Sequence, residues 1–265
     1  MPGPDAAEPI LRCEKLSRSF GGLQAVCDVD LVLMHGERRS VIGPNGAGKT
    51  TLFNVVSGEL GATSGKVFLN GKDVTGQPSY RRVEHGFART FQINNLFPTM
   101  TVLENVVIAL LGHQSARFVC WKPMSSYKTL HHRANEIIEQ FGLSHLKNEL
   151  VSSLSYGDCR VLEVVLGLSS NPSLLALDEP SSGLSSAEAG RLVEVLQSLD
   201  PSLALLVIEH DMRVAFELTQ TMTVMCEGRV VADGLVEDVR NNPRVREIYL
   251  GTCVSDEKSQ RGATP

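Results

Sequence analysis

Apolar and polar positions along the chain alternate between the spacing of strands and the spacing of helices. Short apolar runs such as "SLLAL" and "LALLVIEH" are typical of buried strands, whereas "SAEAGRLVEVLQSL" and "LHHRANEIIEQFG" repeat apolar residues at helical intervals. Strands that are apolar along their whole length and alternate with helices predict a mainly parallel α/β sheet.

Turn and cap signals separate several of these elements. "KVFLNGKDV" and "TVMCEGRVVADG" are predicted hairpins that turn at Asn70-Gly71 and Glu227-Gly228. "ILRCEKL" is predicted as a strand, and "DLVLMHGERRSVIG" as one further strand that leads into a glycine-rich turn. In "TVLENVVIALLG", Thr101 and Glu104 have the spacing of a capping box, so a helix is predicted to begin there.

The strand pattern is interrupted in the middle of the chain. Residues 112–154 have no strand signal, so we predict a helical subdomain, over about residues 93–168, inserted in the sheet. The two ends, residues 1–9 and 252–265, are polar and contain Pro, Gly and Ser, so we predict that both are flexible. We find no internal repeat.

Composition and charge exclude several classes of protein. With 265 residues and a formal net charge of −5, the chain has no overall basic surface for nucleic acid. The longest apolar runs, "VVIALL" and "LALLVI", are far shorter than the roughly 20 residues that cross a bilayer, and the first residues do not form a secretion signal. The six cysteines form no C-x-x-C pair and no zinc pattern, so we expect most to be reduced thiols of a cytosolic protein.

The strongest chemical motif is "GPNGAGKTT", which matches G-x-x-x-x-G-K-[ST] between an apolar strand and a helix. Glycines allow successive backbone N–H groups to surround phosphate oxygens, the lysine reaches the β- and γ-phosphates, and the threonine hydroxyl can bind Mg²⁺. The motif predicts a nucleoside triphosphate site; the plainer alternative is a glycine-rich turn with a surface lysine. Its residues are Gly43, Pro44, Asn45, Gly46, Ala47, Gly48, Lys49, Thr50 and Thr51.

A second motif, "LLALDEPSSG", supplies two carboxylates. Its apolar run places Asp178 at the carboxyl end of a predicted buried strand, where open α/β sheets bind ligands. Asp178 is then positioned to hold Mg²⁺, and Glu179 could polarise a water for attack on the γ-phosphate. The alternative is a strand that ends in a solvated acidic turn.

A third motif, "SLSYGDCRVLEVVLG", opens like a helix N-terminus and continues as a buried helix. Ser155 and Asp158 have the spacing of a cap, and Gly157 lies between them. Free N–H groups and the helix dipole make such an end suited to an anion, although the phosphate loop lies far earlier in the chain.

These motifs together resemble the ATP-binding cassette (ABC) ATPases, over about residues 10–251. Within that family, "GFARTFQINNLFPTMTVLENV", "LSYG", "LLVIEHDM" and "NNPRVREIYLG" resemble the ATP-binding subunits of branched-chain (hydrophobic) amino acid uptake transporters. The resemblance implies a P-loop NTPase (RecA-like) core with a mainly parallel sheet, an N-terminal antiparallel β subdomain and a helical subdomain insertion. It also implies ATP and Mg²⁺ as ligands.

The resemblance assigns roles to further residues. Phe20 matches the aromatic that stacks on adenine, Gln92 the glutamine that touches Mg²⁺ or the attacking water, and His210 the histidine that contacts the γ-phosphate. Ser155 and Gly157 match residues that bind the ATP of a second cassette, in trans. Without the resemblance, each would be read as a core, solvated or capping residue.

Two positions depart from the family pattern. Ser185 replaces a common aspartate; it still begins a capping box with Glu188, but a carboxylate that helps to join two cassettes is absent. Asp158 replaces the usual glutamine, so it either caps its own helix or faces a triphosphate that it should repel.

The implied partners are a second cassette, identical or paralogous, transmembrane permease subunits and, indirectly, an extracytoplasmic substrate-binding protein. The implied location is the cytoplasmic face of the plasma membrane. Leu96, Phe97, Phe118 and Trp121 are candidates for the surface that meets the permease; the alternative is that they pack the small core of the helical subdomain itself. The alternatives are another cargo (urea or amides, aromatic acids, exported lipid) and a soluble or regulatory cassette that is not coupled to transport.

Overall fold

The computed structural model describes residues 8–90, 96–112 and 127–250. Its strands are β1 (Leu11–Phe20), β2 (Leu23–Leu33), β3 (Arg38–Ile42), β4 (Ser64–Leu69), β5 (Lys72–Asp73), β6 (Phe87–Arg89), β7 (Leu174–Asp178), β8 (Ala204–Ile208), β9 (Thr221–Cys226) and β10 (Arg229–Leu235). Its α-helices are α1 (Lys49–Ser57), α2 (Ser79–Arg82), α3 (Val102–Gly112), α4 (Lys128–Gln140), α5 (Tyr156–Leu168), α6 (Ser186–Gln197), α7 (Met212–Leu218), α8 (Val236–Asn241) and α9 (Pro243–Leu250).

The strands form two sheets. The first has the order β2-β1-β4-β5 and its pairs are antiparallel. The second has the order β10-β9-β3-β8-β7-β6, and all of its pairs are parallel except the edge pair of β9 and β10. Because parallel strands end at the same edge, the loops after β3, β7 and β8 lie side by side.

The central strands are apolar throughout because both faces of the second sheet are covered. In β7, Leu174 and Ala176 pack toward α1 and the first sheet, whereas Leu175 and Leu177 pack toward the helices on the other face. Alternate residues of β8 divide in the same way. The uninterrupted apolar runs in the sequence thus correspond to strands buried on both sides.

The prediction of one strand across "DLVLMHGERRSVIG" is wrong. The segment contains β2 and β3, which belong to different sheets and are joined by a turn. Gly36 in this turn has a φ of 70°, and the Glu37 carboxylate accepts the N–H of Met34 at 2.8 Å. Apolar residues on both sides of the turn concealed it in the sequence. Both predicted hairpins are confirmed, with positive φ at Asn70 and Glu227.

Between β6 and β7, the described residues contain α3, α4 and α5 and no strand. The predicted capping box of α3 is confirmed, since Glu104 accepts the Thr101 N–H at 2.8 Å and the Thr101 hydroxyl accepts the Glu104 N–H at 3.2 Å. These helices pack their apolar faces on the second sheet. Within the described ranges, no helix has the length and apolar character needed to cross a bilayer.

Candidate active site at the carboxyl edge of the sheet

In the loop between β3 and α1, three glycines have positive φ values, a conformation that glycine adopts more readily than other residues. Gly43, Gly46 and Gly48 have φ values of 151°, 81° and 94°. A Cβ at Gly43 would lie 2.2 Å from the carbonyl oxygen of Met225, and one at Gly48 would lie 2.2 Å from that of Ala25. The absence of side chains therefore lets the loop pack directly on β9 and β2.

Lys49 opens α1 and turns back toward its own loop. Its Nζ donates hydrogen bonds to the carbonyl oxygens of Gly43 at 2.7 Å and Pro44 at 3.0 Å. Burial lowers the pKa of Lys49, and the carboxylates of Glu179 and Asp178 oppose that shift. Both carboxylates predicted from the sequence therefore lie within electrostatic reach of this ammonium group.

The other residues of the loop differ in exposure. Asn45, Gly46 and Thr50 are exposed, whereas Ala47 is buried and Thr51 is partly buried at the start of α1. An exposed tip and an exposed threonine leave this face of the loop open to a ligand.

Asp178 ends β7 with a fully buried carboxylate. Its Oδ2 accepts a hydrogen bond from Nη2 of Arg89 at 3.2 Å, and Nη1 of Arg89 binds Asn54 and Ser57 at 2.7 and 2.8 Å. Burial raises the pKa of Asp178, and the charge of Arg89 counteracts this rise. In the part of the chain that the structure describes, Oδ1 of Asp178 has no hydrogen-bond partner.

This oxygen allows a test of the predicted Mg²⁺ site. A buried acceptor without a partner is costly, and a carboxylate oxygen is the donor that Mg²⁺ prefers. The residues present therefore fit the ion, with Asp178 and Thr50 as the predicted ligands. Gln92, the third predicted ligand, lies in residues 91–95, outside the described residues.

Glu179 and His210 come from adjacent loops and lie next to each other. Glu179 has a φ of 46° and donates its N–H to the carbonyl oxygen of Ile208 at 2.9 Å. Its Oε2 lies 3.9 Å from Nδ1 of His210, and the two side chains are 28% and 53% exposed. Both side chains can therefore be reached from solvent beside the buried Asp178.

Phe20, the predicted adenine contact, ends β1 with its side chain exposed. The guanidinium of Arg18 covers the ring at 4.7 Å from its centroid. An exposed aromatic ring of this kind offers a flat apolar surface to a base.

The start of α5 is capped within its own chain, as the sequence predicted. The Ser155 hydroxyl accepts the Asp158 N–H at 3.1 Å and donates to Oδ2 of Asp158 at 2.7 Å. Nη1 of Arg191, on α6, donates to Oδ1 of Asp158 at 2.6 Å. Asp158 is thus held by a cap and an ion pair.

The N-terminus of α6 contacts the same point. The predicted capping box is confirmed, because Glu188 accepts the Ser185 N–H at 2.9 Å and the Ser185 hydroxyl accepts the Glu188 N–H at 3.3 Å. The other oxygen of Glu188 accepts the N–H of Gly157 at 3.2 Å. Among the described residues, no hydrogen bond joins Ser155 or Gly157 to the loop of residues 43–51.

Three charged residues of this region were not predicted from the sequence: Arg89, Arg191 and Glu209. A partial signal existed, since both Arg89 and Glu209 are charged groups at the ends of apolar strands. Arg89 lies three residues before Gln92, and Glu209 lies directly before His210. The pairing of Arg191 with Asp158 depends on how α5 and α6 pack, and the sequence has no local sign of it.

One edge of the sheet therefore brings together a lysine, a buried carboxylate, and a neighbouring carboxylate and imidazole. These are the groups that phosphoryl transfer to water requires.

Comparisons with known proteins agree with this geometry. A family model described as ABC transporter matches residues 26–182, and one described as branched-chain amino acid ATP-binding cassette transporter matches residues 229–252. A probable branched-chain amino acid transport ATP-binding protein, LivG, of Archaeoglobus fulgidus is 37% identical over 93% of this chain and 97% of its own length. The lipopolysaccharide export ATP-binding protein LptB of Haemophilus influenzae is 30% identical over 91% of this chain and 97% of its own.

Comparison with solved structures supports the same fold. An ATP-binding cassette of an ABC transporter in its ADP conformation aligns with a TM-score of 0.81 and 31% identity, over 92% of this chain and 99% of the other. The predicted P-loop NTPase fold, with its antiparallel β subdomain, is confirmed. The chain therefore belongs to the ABC transporter family and is one of its ATP-hydrolysing cassettes.

Proposed function

We propose that this chain is the ATPase subunit of an importer for branched-chain or related amino acids. It acts at the cytoplasmic face of the membrane and drives separate permease subunits. A binding protein outside the membrane delivers the amino acid to those subunits. The observation that carries the proposal is the 37% identity with a branched-chain amino acid transport cassette over nearly the whole of both chains. The C-terminal match at residues 229–252 supports the same branch.

The geometry suggests how each residue takes part in hydrolysis. Lys49 exchanges its two carbonyl partners for β- and γ-phosphate oxygens when ATP enters. Glu179 accepts a proton from the attacking water, and His210, 3.9 Å away, contacts the γ-phosphate. Asp178, Thr50 and Gln92 would hold a Mg²⁺ ion, which would neutralise phosphate charge. Arg89 orients the Asp178 carboxylate for that ion.

The proposed working unit contains two cassettes. The contacts of Ser155 and Gly157 are with α5 and α6 of their own chain, and none is with the phosphate loop of residues 43–51 among the described residues. This separation supports a role in which they bind the ATP of a second copy or a paralogue. Hydrolysis would release the two cassettes and so produce a large movement from a local event.

The proposed permease contact is a groove of about 300 Å³ beside β6. Tyr80 and Val83 are exposed and line it, and Arg89 forms part of its wall directly before the segment that carries Gln92. Of the earlier candidates, Phe97 is exposed, but Leu96 packs in the core, so its assignment to this surface is wrong. Phe118 and Trp121 lie outside the described residues.

A second candidate function is export of a lipid. The 30% identity with a lipopolysaccharide export cassette favours it as the main alternative, since cassettes of one fold serve different permeases. The charged and apolar residues of the cassette do not choose the cargo, which the permease and its binding protein recognise.

The test uses the complex purified with its permease subunits. We expect ATP turnover to rise when the binding protein is added with L-leucine and to stay unchanged when lipopolysaccharide is added. The Tyr80→Glu variant should bind the permease about tenfold or more weakly, because a charge would enter an apolar contact. The matched control is Leu235→Glu, an exposed leucine on the opposite edge strand β10.

Stimulation by the lipid and not by leucine would contradict the importer proposal. Equal loss of permease binding in the Tyr80 and Leu235 variants would contradict only the location of the contact.

A further inference from the structure

Glu209 is a fully buried carboxylate to which neither the motifs nor the proposed mechanism assigns a role. It follows β8 directly and is 0% exposed. Within the described ranges, the only basic side chain at ion-pair distance is that of its neighbour His210, with Nδ1 at 4.0 Å. A buried carboxylate with so little charge compensation is costly unless hydrogen bonds stabilise it.

Backbone N–H groups of two loops supply those hydrogen bonds. Oε1 of Glu209 accepts the N–H of Ser181 at 3.0 Å, in the loop after β7. Oε2 accepts the N–H groups of His210 at 3.1 Å and Asp211 at 3.4 Å, in the loop after β8. One carboxylate therefore joins the loop that carries Glu179 to the loop that carries His210.

Each of the two loops is also hydrogen-bonded to the end of the neighbouring strand, β8 for the first and β3 for the second. The N–H of Glu179 binds the carbonyl oxygen of Ile208, and the N–H of Glu209 binds that of Val41 at 3.4 Å. Glu179 has a φ of 46°, which a glutamate keeps only when its surroundings hold it. These connections hold the two loops whose side chains Glu179 and His210 lie 3.9 Å apart.

We propose that Glu209 is a positioning residue for ATP hydrolysis, which fixes Glu179 and His210 relative to each other by bridging their loops. The inference rests on the proposed catalytic roles of these two residues. Glu209 itself is fully buried and cannot be reached from solvent. Glu209 affects the rate of the chemical step. Nucleotide binding by Lys49 and the phosphate loop does not depend on it.

The test is steady-state ATP turnover and nucleotide affinity of the purified full chain carrying Glu209→Gln. The amide keeps the size and one acceptor oxygen, but its NH₂ group must face the N–H of one of the two loops. We expect kcat to fall about tenfold or more, with the KM for ATP within about twofold of the native value. Glu209→Asp, which retains both acceptors on a shorter side chain, should give an intermediate kcat.

The matched control is Glu37→Gln. Glu37 is also a largely buried carboxylate that accepts a loop N–H, that of Met34, but it lies before β3 at the opposite end of the strand. We expect this variant to keep the native kcat. A native kcat in Glu209→Gln, or loss of nucleotide affinity together with kcat, would overturn the inference.

Two further variants separate this inference from the function on which it rests. Glu179→Gln and His210→Ala should each abolish most turnover in the same assay. Turnover retained by either would refute the proposed catalytic roles. If both lose turnover and Glu209→Gln does not, only the positioning role of Glu209 is wrong.

Discussion

Backbone conformation and buried charge constrain single residues around the phosphate loop. Gly48 combines a φ of 94° with a backbone carbonyl at 2.2 Å from the position of a Cβ, so both effects exclude a side chain. At Gly46 the φ is 81° but the space is open. Asp178 shows the other constraint, since its buried carboxylate is held by Arg89 on one oxygen and has the second available for a cation.

Gly48→Ala should lower the free energy of unfolding by about 1–3 kcal/mol and weaken ATP binding, because the loop must move away from the Ala25 carbonyl. The matched control is Gly190→Ala in the middle of α6, where a Cβ meets nothing within 4 Å. This variant should gain about 0.5–1 kcal/mol from helix propensity and bind ATP normally. Urea unfolding and nucleotide titration measure both effects. Equal stability of the two variants would contradict this view of Gly48.

At the scale of elements, the starts of α5 and α6 are joined by charged hydrogen bonds. Glu188 binds both its own capping residue Ser185 and the N–H of Gly157, and these hydrogen bonds hold the pKa of Glu188 below its ordinary value. Asp158 is turned toward Ser155 and Arg191. The two donors predicted to bind a partner's ATP are therefore occupied by carboxylates of their own chain.

Glu188→Gln should let the ATP-bound dimer form at a lower ATP concentration. The amide preserves the cap of α6 but removes a negative charge that a triphosphate must displace or approach. Glu194→Gln, an exposed position on the same helix, should have no effect. Ser155→Arg should abolish dimerisation while the single subunit still binds nucleotide. Gel filtration across an ATP titration, in a hydrolysis-deficient background, measures all three; weaker association of Glu188→Gln would contradict the expectation.

The same elements show what the sequence could and could not predict. Loop 43–51, the two carboxylates at the end of β7 and the caps of α3, α5 and α6 are local patterns, and neighbouring residues predict each of them. The break between β2 and β3 was missed because the apolar pattern continues across the turn at Gly36. Arg89, Arg191 and Glu209 were missed because their partners are distant in sequence and meet only through packing of strands and helices.

At the scale of the molecule, the proposed ATPase residues form two groups, and no hydrogen bond joins these groups among the described residues. The edge formed by β3, β7 and β8 holds Lys49, Asp178, Glu179 and His210, whereas Ser155 and Gly157 belong to the separate contact of α5 with α6. A second cassette would bring the two groups together. ATP would then join two chains, and hydrolysis would separate them beneath a permease.

Sedimentation and ATP turnover of the Glu179→Gln variant with MgATP test directly whether ATP joins two cassettes and whether Glu179 is the base for its hydrolysis. The amide cannot accept the proton of the attacking water, so turnover should fall at least about a hundredfold while ATP remains bound. The variant should then sediment as a stable dimer with MgATP and as a monomer with MgADP. A variant that hydrolyses ATP at the native rate would contradict the role of Glu179, and one that stays monomeric with ATP bound would contradict the dimeric mechanism.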